Sequence, residues 1–114
     1  MKIGIVGSRE FPDMNMVKEF VRSLPPGTTV VSGGARGVDQ IAEMEAKACG
    51  LATIIFPAYW QRDGKAAGFI RNKLIVEAAD RVVAFWDESS RGTLHSINLA
   101  KAAGKPVEVR GISK

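Results

Sequence analysis

The segment Thr29-Val30-Val31-Ser32-Gly33-Gly34-Ala35-Arg36-Gly37-Val38-Asp39 carries an apolar run through a glycine-rich turn into a helical pattern. Glycine lets the backbone turn through φ > 0 and lets a ligand approach closer than a Cβ allows, so Gly33 and Gly34 can expose consecutive amides, flanked by Ser32, Ala35 and Arg36. Unpaired N–H groups at a helix N-terminus, together with the positive end of the helix dipole, favour phosphate. The stretch reads as an anion cradle, with a plain strand-to-helix turn as the alternative. It misses the dinucleotide fingerprint because Ser32 stands at the first glycine and no acidic residue follows about twenty positions on. A Walker loop is excluded, since Gly64-Lys65 is followed by Ala66 and Gly104-Lys105 by Pro106.

Other residue types point the same way. Gly7, Ser8 and Arg9 follow the first apolar run and suit an anionic group. Ser89, Ser90, Arg91, Gly92 and Thr93 offer hydroxyls and amides at another helix start, a second candidate phosphate cup or a simple cap. Asp39 is a ribose hydroxyl acceptor or a carboxylate that only complements the dipole of its helix. Arg71 and Asn72 are polar residues near the start of a mostly apolar helix and can reach into a cleft. Tyr59 and Trp60 can stack on a base or pack as an aromatic lid.

These residues need a scaffold that brings them to one edge. Apolar runs at 3–6, 28–31, 52–56, 81–85 and 107–109 alternate with helical patterns, the first capped by Asp13 and the second closed by Gly50. The second helix is expected to bury Val38, Ile41, Ala42, Ala48 and Cys49, the third to bury Ile70, Leu74 and Ala78, and the fourth to bury Leu94, Ile97 and Ala100. Such alternation predicts an α/β, Rossmann-like, doubly wound fold: a sheet of about five mainly parallel strands, helices on both faces, and the last strand at an edge. Ligands bind beyond the C-terminal strand ends of such sheets. Arg9, Arg36, Arg62 and Arg91 fall one in each β-to-α loop, and Arg71 lies near the third helix start, so all five are expected at that edge. Charge-assisted hydrogen bonds contribute about 1.5–3 kcal/mol each, so a few of them supply most of the roughly 8 kcal/mol of a micromolar ligand.

The chain of 114 residues suits one domain spanning 1–114, and its apolar content of 46% with 25% charged residues is that of an ordinary globular protein. No apolar run approaches the roughly 20 residues of a membrane span, so no membrane partner is expected. A single cysteine, Cys49, fits a reducing cytoplasm. A lone histidine, His95, cannot build a metal site, and neither a metal nor a cofactor is expected. The net charge of +4 has no clustered basic tail behind it.

Four segments together resemble the YspA-related branch of the SLOG superfamily: Gly7-Ser8-Arg9; Val31 to Asp39; Trp60 with Gly64, Ala67-Gly68 and Arg71-Asn72; and Ala84-Phe85-Trp86 with Ser89 to Thr93. That superfamily includes the LOG phosphoribohydrolases and the DNA-processing protein A family. The resemblance implies a domain that binds nucleotides or nucleotide-derived ligands, and a homo-oligomer, dimer or higher. LOG enzymes carry P-G-G-x-G-T-x-x-E where this chain has Ser89 to Ser96; Gly92-Thr93 is kept, and Ser96 replaces the catalytic Glu. Arg71 matches the arginine those enzymes pair with it. Losing that carboxylate argues against glycosidic hydrolysis, with Arg71, Asp87 and Glu88 as the candidate catalytic residues if it occurs. The expectation is therefore a sensor or carrier of a nucleotide-type small molecule, ADP-ribose-like or nucleotide-sugar-like. The alternatives are a LOG-like phosphoribohydrolase acting on nucleoside 5′-monophosphates and, ranked last, a single-stranded nucleic-acid binder. Nucleic acid is not the expected partner, because the arginines surround one cleft rather than form a stripe.

Overall fold

The apolar runs form parallel strands because helices cover the sheet from both sides. In a computed structural model, which describes residues 1–111, β1 (Lys2–Gly7), β2 (Thr29–Ser32), β3 (Ala52–Ile55), β4 (Arg81–Phe85) and β5 (Val107–Arg110) assemble in the order β3-β2-β1-β4-β5. Every pairing is parallel, the β5 edge included. The helices are α1 (Met14–Arg22), α2 (Val38–Ala48), the single turn α3 (Trp60–Asp63), α4 (Ala67–Ala78) and α5 (Arg91–Ala102), with a 3-10 turn over Gly64–Ala66 between α3 and α4. The fold is thus the Rossmann-like α/β fold expected, parallel throughout rather than mainly so.

Alternation along the strands divides the core in two. Ile3, Ile5, Val30, Val83 and Phe85 pack under α1 and α2, where the Phe11 and Phe20 rings meet Phe85 edge-on. Val6, Val31, Val82 and Ala84 pack under α4 and α5, against Ile75, Val76, Ile97 and Ala100. Local signals set the helix limits: Asp13 accepts from the Met16 amide at 3.2 Å, and Gly50 stops α2 with φ 74°.

The strand order reverses between β1 and β4, which opens a crevice at their C-terminal ends. Ser8 sits at this junction. Its amide donates to the Phe85 carbonyl at 3.0 Å, and its Oγ accepts from the Asp87 amide at 3.1 Å. Buried and committed to joining β1 to the loop after β4, Ser8 fixes the crevice rather than offering a hydroxyl to it.

Three packing expectations fail. Ile70 and Leu74 remain 41% and 39% exposed, whereas Asn72, Ile75 and Val76 face inward. The apolar residues of α4 lie around its whole circumference, so no stripe in the sequence marks the buried side. Leu94 on α5 is likewise exposed, and so are Ala48 and Cys49 at the end of α2, whose inner face keeps the expected Val38 and Ala42 and adds Asp39 and Ala46.

Lys105 secures the far end of α4. Its Nζ donates to the carbonyls of Val76 at 2.5 Å, Glu77 at 2.8 Å and Ala79 at 2.6 Å, a cation over a helix C-terminus. Replacing it with methionine keeps the stem but leaves those carbonyls without a donor. Lys105→Met is expected to lower unfolding free energy by about 1–3 kcal/mol; a urea midpoint equal to wild type would show that the contact contributes nothing.

Candidate functional site

A cleft of about 470 Å³ lies over the crevice, beyond the ends of the central strands. The β1–α1 connection contributes Gly7, Arg9 and Glu10, and the β2–α2 region contributes Ala35 and Asp39. Trp60, Lys65, Gly68, Phe69, Arg71 and Asn72 form the wall from α3 to α4. Asp87, Ser89, Ser90, Gly92, Thr93 and Ser96 close the side at the start of α5.

The glycine loop after β2 is built differently from the expected cradle. Asp39 accepts through Oδ2 from the Gly33 amide at 3.1 Å and the Ala35 amide at 3.3 Å, so an internal carboxylate already occupies one of the two glycine amides expected to meet an anion, and a flanking amide with it. Arg71 lies across the same loop, with Nη1 donating to the Gly33 carbonyl at 2.9 Å and Nε to Asn72 Oδ1 at 3.1 Å. A Cβ on Gly33 would stand 2.5 Å from Arg71 Nη1, so a larger residue there would displace the guanidinium from the loop. Burial pushes the Asp39 carboxyl up to about 7; the Arg71 charge and the two amides oppose the shift, and Glu43 adds to it.

At the start of α5 the polar groups cap one another. Asp87 Oδ1 accepts from the Ser89 amide at 2.9 Å and the Ser90 amide at 2.8 Å, and these bonds hold its carboxyl below the ordinary aspartate range. Ser90 Oγ accepts from the Thr93 amide at 3.3 Å. Asn72 Nδ2 reaches the Gly92 carbonyl at 3.2 Å and thereby ties α4 to α5. No protein acceptor engages the Arg91 or Gly92 amide among the described residues, so the helix start keeps donors for an incoming anion.

The five arginines do not converge. Arg9 and Arg71 line the cleft, whereas Arg36, Arg62 and Arg91 lie outside its lining. Arg62 pairs with Asp63 at 3.0 Å and covers the Tyr59 ring at 4.7 Å, because the short α3 helix turns it away. Ser32 is buried and donates its hydroxyl to Glu43, since it shares the strand face that looks onto α2. Gly34 lies against Ile55, and exposed Glu88, at φ 68°, sits in the turn after β4 outside the lining. Lys65 and Phe69 join the cleft without having been singled out for it. In the sequence Lys65 stands out only beside Gly64 in an incomplete Walker pattern, and Phe69 carries no signal beyond its apolar character.

A doubly wound parallel sheet with an open cleft at the point where strand order reverses defines the Rossmann-like α/β class of domain. Residues 1–59 match the family model of DNA recombination-mediator protein A, and the chain belongs to that family. Gene 61 protein of Mycobacterium phage D29 is 38% identical over 117 residues, covering 93% of each chain. DNA processing protein A from Helicobacter pylori, whose structure concerns a single-stranded DNA binding mode, matches 96% of this chain with a TM-score of 0.80 and 26% identity. The Streptococcus pneumoniae protein of the same name matches 95% of this chain with a TM-score of 0.83 and 23% identity, a likeness of fold. This chain spans 64% and 49% of those two proteins. No described helix is long and apolar enough to cross a membrane.

These findings overturn two expectations: that the ligand is a free nucleotide derivative, and that nucleic acid is not the partner. The reason is chemical. Guanidinium groups and helix-start amides recognise a phosphate group whether it is free or part of a strand, and residue types alone do not separate the two.

Proposed function

We propose that this domain binds single-stranded DNA in the cleft at the C-terminal sheet edge. The observation that carries the reading is the likeness, over 96% of the chain, to the Helicobacter pylori protein known for that binding. The chemistry of the cleft supports it. Arg9, Lys65 and Arg71 supply cations for successive phosphates, and the free amides at the start of α5 supply uncharged donors. Trp60 and Phe69 are 53% and 51% exposed, with ring surface to spare for unpaired bases. A duplex hides its base faces, so single strands should be preferred. Within the superfamily, the Gly7-Ser8-Arg9 and Trp60 to Asn72 motifs support placement in the YspA-related branch, and the free thiol of Cys49 supports a cytoplasmic site of action.

Fluorescence anisotropy with a labelled oligothymidylate tests the reading. Three phosphate contacts give a slope of log affinity against log salt of about −2, which is roughly a 20-fold loss between about 50 and 200 mM salt. No anisotropy change at low salt, or equal affinity for duplex and single strand, would overturn it.

A further inference from the structure

The cleft contains one buried ionisable group to which DNA binding as outlined gives no task. Asp39 is 5% exposed and lines the cleft from the first turn of α2. The Gly33 and Ala35 amides hold its Oδ2, and Oδ1 has no protein donor among the described residues. Charged groups approach from every side of the cleft: Arg71 from α4, Glu43 from α2 itself, Arg9 and Glu10 from the β1–α1 connection, Lys65 from the turn before α4, and Asp87 from the β4–α5 loop. An ionised Asp39 would repel a phosphodiester entering this space, and a protonated one would offer it a donor.

We infer that Asp39 makes phosphate binding in the cleft proton-linked, taking up a proton at Oδ1 as the strand enters and weakening the hold when it ionises. The inference rests on the reading of the cleft as the DNA site. The proton comes from solvent and stays on Oδ1, which donates to a non-bridging phosphate oxygen; no covalent bond forms or breaks. Burial places the carboxyl at about 7, so the linkage falls near neutral pH. A phosphate beside Asp39 raises the carboxyl further, and by linkage the bound strand and the bound proton favour each other equally. His95, held below its ordinary range by burial, is mostly neutral through the interval in which Asp39 ionises.

The experiment measures oligothymidylate affinity at fixed ionic strength between about pH 6.5 and 8.5 in the wild type and in Asp39→Asn, which keeps an acceptor for the two loop amides and cannot ionise. Wild-type affinity should fall by roughly tenfold over that range, and the variant should keep its low-pH affinity throughout. The free proteins provide a second measurement. A carboxyl raised on folding stabilises the native state fully below its unfolded value near 4, and that contribution is lost as pH rises through about 7. The wild-type melting temperature, compared with that of Asp39→Asn, should therefore fall between about pH 5 and 7.5. Binding with the same pH profile in both proteins would overturn this inference and leave the DNA reading standing. Absence of binding at every pH would overturn both.

Discussion

Replacing Arg71 with alanine is expected to weaken oligonucleotide binding by about 10- to 100-fold, the largest loss from any single cation in the cleft. The guanidinium is held at two points, with Nη1 on the Gly33 carbonyl and Nε on Asn72 Oδ1, so this side chain lines the cleft already ordered. A side chain ordered in advance loses little entropy on binding, which separates Arg71 from exposed Arg36 and Arg91. Loss of one phosphate contact should also reduce the salt slope by about 0.7. Arg71→Lys keeps a charge but cannot span both anchors. It should retain the slope while losing several-fold in affinity, because an ammonium lacks the planar fork. Equal affinity of wild type and Arg71→Ala at low salt would show that the phosphates pass elsewhere, and the same anisotropy titration decides it.

The sheet could be read from the sequence because a buried parallel strand needs an unbroken apolar run and a helix needs its cap. Arg81 to Phe85 and the Asp13 cap show how local those signals are. The buried side of α4 could not be read, since Phe69, Ile70, Leu74, Ile75 and Val76 leave no polar face to break the symmetry. At the site, residue types announced a glycine loop, arginines and a helix start, but not how they pair. By type and position Asp39 suits either a ribose acceptor or a complement to its helix dipole, and folding turns its carboxylate back onto its own loop. Arg62 shares a β-to-α loop position with the other arginines, yet its neighbour in sequence, Asp63, takes its charge. The ligand class was the least legible part, because phosphate chemistry is common to nucleotides and strands. The exposed rings of Trp60 and Phe69, which would favour a strand, acquire their positions only when α3 and α4 fold together.

Gly37→Ala is expected to cost about 3 kcal/mol or more of folding stability, equivalent to a fall of 10 °C or more in melting temperature. Gly37 precedes α2 with φ 83° and ψ −122°, a conformation that essentially only glycine adopts without strain. A Cβ there would stand 2.3 Å from the Arg9 carbonyl oxygen, a backbone atom that cannot swing aside. Gly7 makes the complementary approach, for a Cβ on it would lie 2.6 Å from the Val38 side chain. The end of β1 and the start of α2 are therefore interlocked, and Asp39, one residue after Val38, reaches the Gly33 loop because of that closeness. Gly50→Ala separates the two contributions. Its φ of 74° is also positive, but nothing lies within 4 Å of the added methyl, so it should lose only the backbone strain of about 1 kcal/mol. A Gly37→Ala protein that melts together with Gly50→Ala would mean that the β1–α2 junction yields freely, and the site it shapes would then be softer than its contacts imply.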